Sequence, residues 1–449
     1  MDVIPKDIAF AVAKFEGWNC NNYRLETNGA TSAAPNSIIT LSLPSNAIID
    51  LRSFKVHFDV ATTADNPGGG APAIYGKLPA DTSSLIQQCE VYCGGVQICQ
   101  GFSEFNTVSR VKKLIHSSRD REGSIDQTLY HGKLTVDDAI DQVTCIFKPN
   151  IGLFAESSTR YWPSNITSDM QIRITMAPNC VLAHKEHGRN INLDFSDGAV
   201  RARAPNVTYG VSSIHATIAT VTLGDAYERM LMDRLAQEES LKINYKEYYT
   251  FSLHGTAGAA HDVRFSLSAN SIDKLYLIMR DGNYQTAGIR TRQFTGAEFS
   301  DANSSNFLHF KSFNSSTTQR GNLQYQWSVN NVMHPVYRAD ALDAVHELLM
   351  CSDQHGHTGR GNMICSLQDW NVGKCIVPLQ MCMPGQPINL MSGYNSRGNN
   401  TQFSVSIAGQ DVPAANAASQ VTDQVSSMVI CETTAQLLIA GAKQISVAY

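Results

Sequence analysis

The sequence is short of charge. Lys, Arg, Asp and Glu account for 17% of its 449 residues and the formal net charge is −5, whereas an ordinary soluble domain is roughly 25% charged. No long block of like charges occurs, and a chain that holds nucleic acid directly usually shows a basic patch or tail. We therefore expect no direct sequence-specific binding of nucleic acid. The apolar fraction of 43% is too high for a disordered chain.

Long apolar runs and paired cysteine motifs are missing as well. No stretch approaches the roughly 18 apolar residues of a membrane span, and Asp2 stands where a secretion signal has basic residues. The 11 cysteines form no CxxC pair, so we predict reduced, intracellular thiols rather than a disulfide scaffold. Cys89, Cys93 and Cys99 lie at even offsets in a strand-like run, which predicts small buried side chains on one face.

The motifs of common enzyme classes are also lacking. There is no GxSxG and no P-loop, and the glycines at 68–70 lie between prolines, where no helix can begin and bind phosphate. His184 and His187 have the wrong spacing for a zincin helix, and His355 and His357 supply only part of a metal shell. We predict that these are solvated loop histidines. We assign no catalytic, cofactor-binding or metal-binding residue, expect no cofactor, and predict that the protein is not an enzyme.

What replaces the charge is Ser, Thr, Asn, Gln and Gly, a mixture that suits β-sheets joined by neutral loops. Apolar residues at helical spacing predict helices at about 103–115, 225–241 and 339–350. Runs with partial or strict alternation and two-residue turns predict strands and hairpins. These runs cover residues 37–43, 53–60, 88–98 with a Gly94-Gly95 turn, 247–253, 263–267, 274–279, and 324–333 with an Asn330-Asn331 turn, and a loop is predicted at 65–72.

The same order of elements occurs twice along the chain. Similar segments recur at similar offsets and in the same order, which predicts one β-domain of about 200 residues present in two copies. A helix follows the turn at the same distance in both copies. The matched positions are Asn46 with Asn270, Gly94 with Asn330, and Gln171 with Gln402, at offsets of about 224, 236 and 231 residues.

The repeated pattern favours antiparallel sandwiches. A parallel α/β fold is excluded because helices do not alternate with strands, and a propeller would need more and shorter repeats. We predict an all-β chain of two tandem jelly-roll domains with short embedded helices. The predicted parts are an N-terminal arm with a short helix at 1–30, a first jelly roll at 31–200, a connecting segment with a helix at 201–244, and a second jelly roll with a C-terminal tail at 245–449.

The N-terminal segment leaves two interpretations open. Residues 7–16 fit a short amphipathic helix with Ile8, Val12 and Phe15 on one stripe. The helix either packs on its own domain or forms a peripheral arm that grips a neighbouring subunit or a membrane surface.

A family resemblance rests on three segments together with the two β-domains. They resemble double jelly-roll major capsid proteins, above all those of polinton-like viruses, virophages and related eukaryotic double-stranded DNA viruses. The resemblance covers about residues 30–440 and rests on the pattern of predicted strands and a few short sequence segments. The segments are Ile86-Gln-Gln-Cys-Glu-Val-Tyr-Cys-Gly-Gly95, Tyr248-Tyr-Thr-Phe-Ser-Leu-His254 and Phe265-Ser-Leu-Ser-Ala-Asn-Ser-Ile-Asp-Lys-Leu275.

The resemblance implies a structural role in a virion. It implies a homotrimer whose six jelly rolls form a pseudo-hexagonal capsomer, with many capsomers tiling an icosahedral shell. The implied partners are further copies of the chain, minor capsid proteins and penton proteins, with the N-terminal segment as a candidate for contact with an internal membrane. Assembly would take place inside the infected host cell.

Two other functions stay open from the sequence. A β-sandwich spike or fibre protein that binds a receptor or glycan would use outer loops, and Trp162, Trp327 and Trp370 could line a sugar groove, although Trp more often packs in a core. An enzyme of the bicupin type would repeat its metal ligands in both halves. His355 and His357 have no histidine counterparts one repeat earlier, which disfavours the enzyme.

Overall fold

A computed structural model of the chain describes most of both repeats. The predicted helix at 7–16 and residues 66–72 of the predicted loop lie outside the described residues. The residues described are 19–45, 47–65, 74–78, 82–99, 104–116, 143–164, 166–186, 207–222, 229, 232–233, 235–236, 240–257, 260–281, 310, 312, 322–351, 367–385, 387–398, 400–409, 424–440 and 444–449.

The first repeat consists mainly of two antiparallel sheets. Its strands are β1 (Asn19–Glu26), β2 (Ile38–Ser42), β3 (Ile48–Thr62), β4 (Ala64–Asp65), β5 (Ile74–Lys77), β6 (Ile86–Cys93), β7 (Val96–Cys99), β8 (Val143–Phe147), β9 (Tyr161–Pro163), β10 (Met170–Met176), β11 (Ala183–Glu186) and β12 (Tyr209–Thr222). Sheet I has the order β1-β12-β3-β8, with β9 added on β3, and sheet II has the order β2-β10-β6-β7. A small third sheet joins β11, β5 and β4.

The second repeat is built in the same way. Its strands are β13 (Leu241–Ala257), β14 (His261–Ser266), β15 (Ile272–Asp281), β16 (Gln324–Val329), β17 (Val332–Ala339), β18 (Ile376–Gln380), β19 (Gln402–Ala408), β20 (Gln424–Ile439) and β21 (Ile445–Ala448). Sheet III has the order β13-β20-β15-β18, with β21 added on β20, and sheet IV has the order β14-β19-β16-β17. Among the described residues, the α-helices with both ends defined are α1 (Phe105–His116), α2 (Ala341–Cys351) and α3 (Leu367–Val372).

The predicted duplication is confirmed by the strand orders. Sheets I and III have equivalent strand orders, in which β1, β12, β3 and β8 correspond to β13, β20, β15 and β18. Sheets II and IV correspond in the same way. Helix α1 follows β7 and α2 follows β17. Both repeats are thus antiparallel jelly rolls with a short helix after the same hairpin, as predicted.

The core of each repeat follows from alternation along its strands. Val56, Phe58 and Val60 of β3 are buried while the residues between them are only partly buried, and Ile172 and Ile174 of β10 are buried in the same way. Side chains on a strand point alternately to its two faces. One face of sheet I and one face of sheet II therefore supply the same apolar core.

The two predicted hairpin turns are confirmed and share their backbone geometry. Gly94 and Gly95 have φ of 59° and 82°, and Asn330 and Asn331 have φ of 48° and 67°. Left-handed residues at both central positions match the twist of the flanking strands. A Cβ atom at Gly94 would lie 2.8 Å from the Cβ of Ser168, so this turn also needs glycine for space.

The helix predicted at 225–241 is confirmed at its described residues, but its predicted C-terminal end is wrong. The described residues at 229, 232–233 and 235–236 are helical. Leu241, however, begins β13 and is paired with Ile439 of β20. The pairing continues along β13, so backbone hydrogen bonds to β20 replace helical ones from this point.

Two strands of sheet I fall where no jelly-roll strand was predicted. Residues 209–222, assigned to the connecting segment, form β12 between β1 and β3. Residues 19–26, assigned to the N-terminal arm, form β1 at the edge of the sheet. Buried Ile214, Ala216 and Ile218 alternate with the partly buried His215 and Thr217, which explains why this part of β12 forms a strand.

Candidate assembly surfaces

The histidines noted in the sequence do not form a metal site among the described residues. His184 lies on β11 opposite Gly76 of β5, so its backbone belongs to a strand and not to the predicted loop. His187, His355 and His357 lie outside the described residues. Within the described part of the chain, no group of three His, Cys, Asp or Glu side chains is placed to hold a metal ion.

The three tryptophans considered for a sugar groove lie in the core. Trp162 and Trp370 are 0% exposed and Trp327 is 1% exposed. The indole Nε1 of Trp162 donates to Thr167 Oγ1 at 3.0 Å, and that of Trp370 donates to the carbonyl oxygen of Ile376 at 2.9 Å. These rings are therefore packing residues and present no stacking surface to a ligand.

The cysteines in the β6–β7 hairpin are buried and free, as predicted. Burial, with a smaller contribution from Glu90, raises the pKa of Cys89 to about 12. Burial also raises the pKa of Cys93 to about 11 and raises the pKa of Cys99 well above its usual value. Because the thiolate is the reactive form, these thiols act as small apolar side chains.

The two repeats meet in a buried interface. The first repeat contributes the end of β7, helix α1 and the segment at 152–158, and the second contributes sheet III. The hydroxyl of Tyr245 on β13 donates to the carbonyl oxygen of Ile98 at 2.5 Å. The backbone N–H of Ser158 donates to the carbonyl oxygen of Asn244 at 2.7 Å.

Buried charges form the centre of this interface. The Nζ of Lys112 on α1 lies 2.8 Å from Oε2 of Glu432 on β20 and 3.3 Å from Oε1 of Glu156. The Nζ of Lys246 lies 2.6 Å from Oδ2 of Asp273 and 3.6 Å from Oε1 of Glu432. The side chains of Lys112 and Glu432 are only 6% and 2% exposed, so water hardly screens this pair.

Lys112 and Glu432 shift each other's pKa toward the charged forms. Burial alone would raise the pKa of Glu432, but Lys112, Lys246 and Lys274 outweigh it and lower that pKa well below its usual range. Burial alone would lower the pKa of Lys112, but Glu156 and Glu432 outweigh it and raise that pKa. Lys112 and Glu432 therefore carry opposite charges at neutral pH.

A second buried ion pair crosses the interface. The Nη2 of Arg280 on β15 lies 2.8 Å from Oε2 of Glu104, which immediately precedes α1. Thr107 Oγ1 donates to the same carboxylate oxygen at 2.9 Å. Shifting one repeat along the other while the interface stays closed would leave buried charges without partners, which is strongly unfavourable. This arrangement fixes one repeat against the other.

Sequence reasoning missed these interface residues, although a signal was present. Lys112 stands beside Val111 within the apolar stripe of α1, and Glu432 directly follows Cys431 in an apolar run of β20. Charged residues are almost never fully buried unless paired. A charge inside such a run therefore indicates a buried partner, but the sequence does not say which one.

A cleft of about 90 Å³ opens beside the ionic cluster. Lys246, Asp273, Cys382 and Met391 are among its lining residues. The ammonium group of Lys246 is already paired with Asp273 at 2.6 Å. The cleft is therefore lined by the second repeat, and its Lys246 ammonium group is already engaged in an ion pair.

Strand β17, at the edge of sheet IV, exposes large apolar side chains. Val332, Val336 and Tyr337 are 59%, 88% and 61% exposed. In the corresponding strand β7 of the first repeat, Val96 is also exposed, at 38%, but Ile98 and Cys99 are 0% and 3% exposed because the end of β7 faces the second repeat. The end of this edge strand is thus covered in the first repeat, whereas its counterpart in the second repeat is exposed.

The outer face of sheet I, the face turned away from its core, is partly exposed and carries charges of both signs, with Lys55 and Arg24 beside Glu26 and Asp59. Lys55 is exposed, and the rings of His57 and His215 stack with centroids 4.9 Å apart. Partial burial, followed by His215, Lys55 and Arg24, lowers the pKa of His57. This face differs from the corresponding face of sheet III, which is buried against the first repeat.

Comparison with solved structures shows the class of fold. A chain of the PBCV-1 virus capsid aligns over 97% of this chain and 98% of its own length, with a TM-score of 0.55 and 13% identity. The Faustovirus major capsid protein aligns over 95% and 91%, with a TM-score of 0.52 and 11% identity. A chain of the Sputnik virophage aligns over 97% and 88%, with a TM-score of 0.51 and 12% identity. No family model and no curated protein matches the sequence.

The protein has the double jelly-roll fold found in viral major capsid proteins. The predicted fold class is therefore confirmed. Within the described residues, no helix is both long and apolar enough to cross a membrane.

Proposed function

We propose that this chain is the structural major capsid protein of an icosahedral double-stranded DNA virus and is not an enzyme. One observation carries the proposal: two jelly rolls of matching strand order are locked together by buried ion pairs. Such a unit is a rigid building block with internal pseudo-symmetry. The fold it shares with capsid structures, over nearly the whole chain, supports this role.

The proposed assembly unit is a homotrimer. Three copies of a chain with two similar domains place six similar domains around an axis, and such a capsomer fills a six-fold position in a lattice while its true symmetry is three-fold. The small net charge of −5 allows many copies to pack side by side without strong repulsion.

The proposed location is the virion shell. Further copies of the chain would be the main partner, with minor capsid and penton proteins at other positions of the lattice. The N-terminal segment at 1–18, which lies outside the described residues, would reach a neighbouring subunit or an internal membrane. We expect no direct sequence-specific contact with the genome.

Electron microscopy of the purified chain tests the proposed function. The protein is concentrated, negatively stained and imaged over a range of pH and salt. We expect particles with a hexagonal outline, followed by sheets or closed shells. A uniform population of separate two-lobed chains under all conditions would contradict a capsid role.

A truncated variant separates the two interpretations of the N-terminal segment. Deletion of residues 1–18 leaves β1 and both repeats intact. If the segment is an arm, we expect hexagonal particles to form but shells to be lost. Unchanged shell assembly would remove the arm interpretation and leave the capsid role in place.

A further inference from the structure

Two histidines and a carboxylate lie in one row across the outer face of sheet I. His57 of β3 is paired with His215 of β12, and Glu26 of β1 is paired with His215 from the other side. Residues directly opposite each other on antiparallel strands have neighbouring side chains on one face of the sheet. We call Glu26, His215 and His57 the histidine row.

The two imidazole rings are close together and held by hydrogen bonds. Their centroids are 4.9 Å apart and their planes differ by 5°. Nδ1 of His215 donates to the carbonyl oxygen of Ser213 at 3.1 Å, and since a carbonyl only accepts, Nε2 of the neutral ring keeps its lone pair. Nε2 of His57 lies 3.1 Å from Oγ1 of Thr217, and donation to this hydroxyl leaves a lone pair on Nδ1. Metal-binding histidines are oriented in this way, through the ring nitrogen that does not bind the metal.

The backbone beside His215 is irregular. The pairing of β12 with β3 shifts its register between Ser212 and His215, and Ser213 has a φ of 55°. A left-handed serine is unfavourable by itself, and such irregularities in strands re-aim side chains beside functional sites. Here the irregular segment supplies the carbonyl oxygen that holds Nδ1 of His215.

The charges beside the histidine row balance. Arg24 is ion-paired with Glu26 at 2.8 Å, and Lys55 and Asp59 flank His57 along β3, two residues away on either side. Two cations and two carboxylates therefore leave no net positive charge to repel a metal ion. Partial burial, followed by the neighbouring imidazole and cations, lowers the pKa of His57. This ring is thus neutral at pH 7, which is the form that binds a metal.

We propose that the histidine row binds one divalent transition-metal ion of the zinc type. His57 and His215 supply two nitrogen ligands, Glu26 supplies an oxygen ligand, and water completes four positions. Zinc takes imidazole and carboxylate ligands in this combination.

Binding requires two movements of the side chains. The rings tilt until both nitrogens lie about 2.1 Å from the ion, and the exposed carboxylate of Glu26 turns away from Arg24. Before these movements the three side chains are not grouped as a metal site. All three ligands belong to one sheet of one chain. The inference therefore goes beyond the proposed capsid function, and its failure would leave that function standing.

Zinc titration of the purified full-length chain by isothermal titration calorimetry tests the site. The variant is His57→Asn/His215→Asn, and the matched control is His334→Asn/His346→Asn, which removes two exposed histidines of the second repeat. We expect the wild type and the control to bind one more zinc ion per chain than the His57→Asn/His215→Asn variant, with unchanged circular dichroism. Equal zinc binding by the wild type and that variant would overturn the site.

Two single variants test the third ligand with opposite expected signs. Glu26→Gln should weaken zinc binding at this site by about tenfold or more, because the loss of even an outer partner of a metal ligand weakens binding by about 10–100-fold. Arg24→Gln should strengthen it, because the carboxylate then has no competing ion pair. An unchanged affinity in either variant would overturn the assignment of Glu26 as a ligand.

Chemical modification locates the ion in the wild type, without any variant that must fold. Diethyl pyrocarbonate modifies free imidazole nitrogens, and mass spectrometry of peptides follows each histidine separately. We expect zinc to slow the modification of His57 and His215 and to leave that of the exposed His346 unchanged. No protection of the two row histidines, or equal protection of His346, would place the ion elsewhere and overturn the proposal.

Discussion

Sheets I and III share a strand order but differ in what covers their outer faces. In sheet III, Tyr276, Ile278 and Arg280 of β15 are 0% exposed, because α1 and its neighbours pack on them. In sheet I, Lys55 of β3 is exposed and His57 is only partly buried. The comparison shows that the jelly-roll topology needs one apolar face per sheet, which packs in the core. Whether the outer face is also apolar depends on whether the neighbouring repeat covers it.

The strand sequences reflect this difference. β15 is buried along nearly its whole length, as expected for a strand covered on both faces, whereas β3 alternates over most of its length as expected for a strand covered on one face. A duplicated fold can therefore assign its two copies different roles by changing the residues on one face alone.

The largest expected effect comes from the buried outer face. Ile278→Ala should lower the free energy of unfolding by about 4 kcal/mol, because it leaves a cavity between sheet III and the first repeat. Lys55→Ala on the counterpart strand should change it by less than about 0.5 kcal/mol. Urea unfolding at one fixed protein concentration, followed by tryptophan fluorescence, measures both. Equal effects at the two sites would contradict the claim that the outer face of sheet III is buried and that of sheet I is not.

Removing the central carboxylate should have the next largest effect. Glu432→Gln should lower the free energy of unfolding by about 3 kcal/mol, because Lys112 and Lys246 lose a buried partner. The control is Glu26→Gln, which breaks the Arg24–Glu26 pair on sheet I, whose side chains are 64% and 61% exposed. An exposed pair of this kind contributes little. A loss for Glu432→Gln no larger than that of the control would show that the ion pairs do not join the repeats.

The same carboxylate makes stability depend on acid pH. The pKa of Glu432 is lowered in the folded chain, so its contribution is complete above its unfolded pKa of about 4.3 and is lost as pH falls through the folded pKa. The difference in unfolding free energy between wild type and Glu432→Gln should be constant from about pH 7 to pH 5 and shrink in more acid solution. Urea midpoints at a series of pH values measure it, and a difference that grows on acidification would contradict the sign.

Substitutions in the two hairpin turns should have the smallest effects on stability. Gly95 has φ of 82° and no atom near the place of a Cβ, so Gly95→Ala should destabilise by about 1 kcal/mol through backbone strain alone. Asn331, with φ of 67°, occupies the corresponding place in the second repeat, and Asn331→Gly should be neutral or slightly stabilising. Thermal unfolding of the two variants decides this. A stabilised Gly95→Ala would show that the turns differ in conformation.

Local features were predictable from the sequence and long-range ones were not. The hairpin turns, α1 and the duplication follow from residue types and spacing along the chain, and the structure confirms them. The Lys112–Glu432 pair joins residues 320 positions apart, and no local pattern says that these charges meet. β12 was missed because its mixture of small polar and apolar residues has few large side chains to mark a strand.

A cryo-EM reconstruction of the purified particle tests the central claim most directly. The account predicts three copies of the chain and six jelly-roll lobes around one axis. A single chain or a two-fold particle would contradict it.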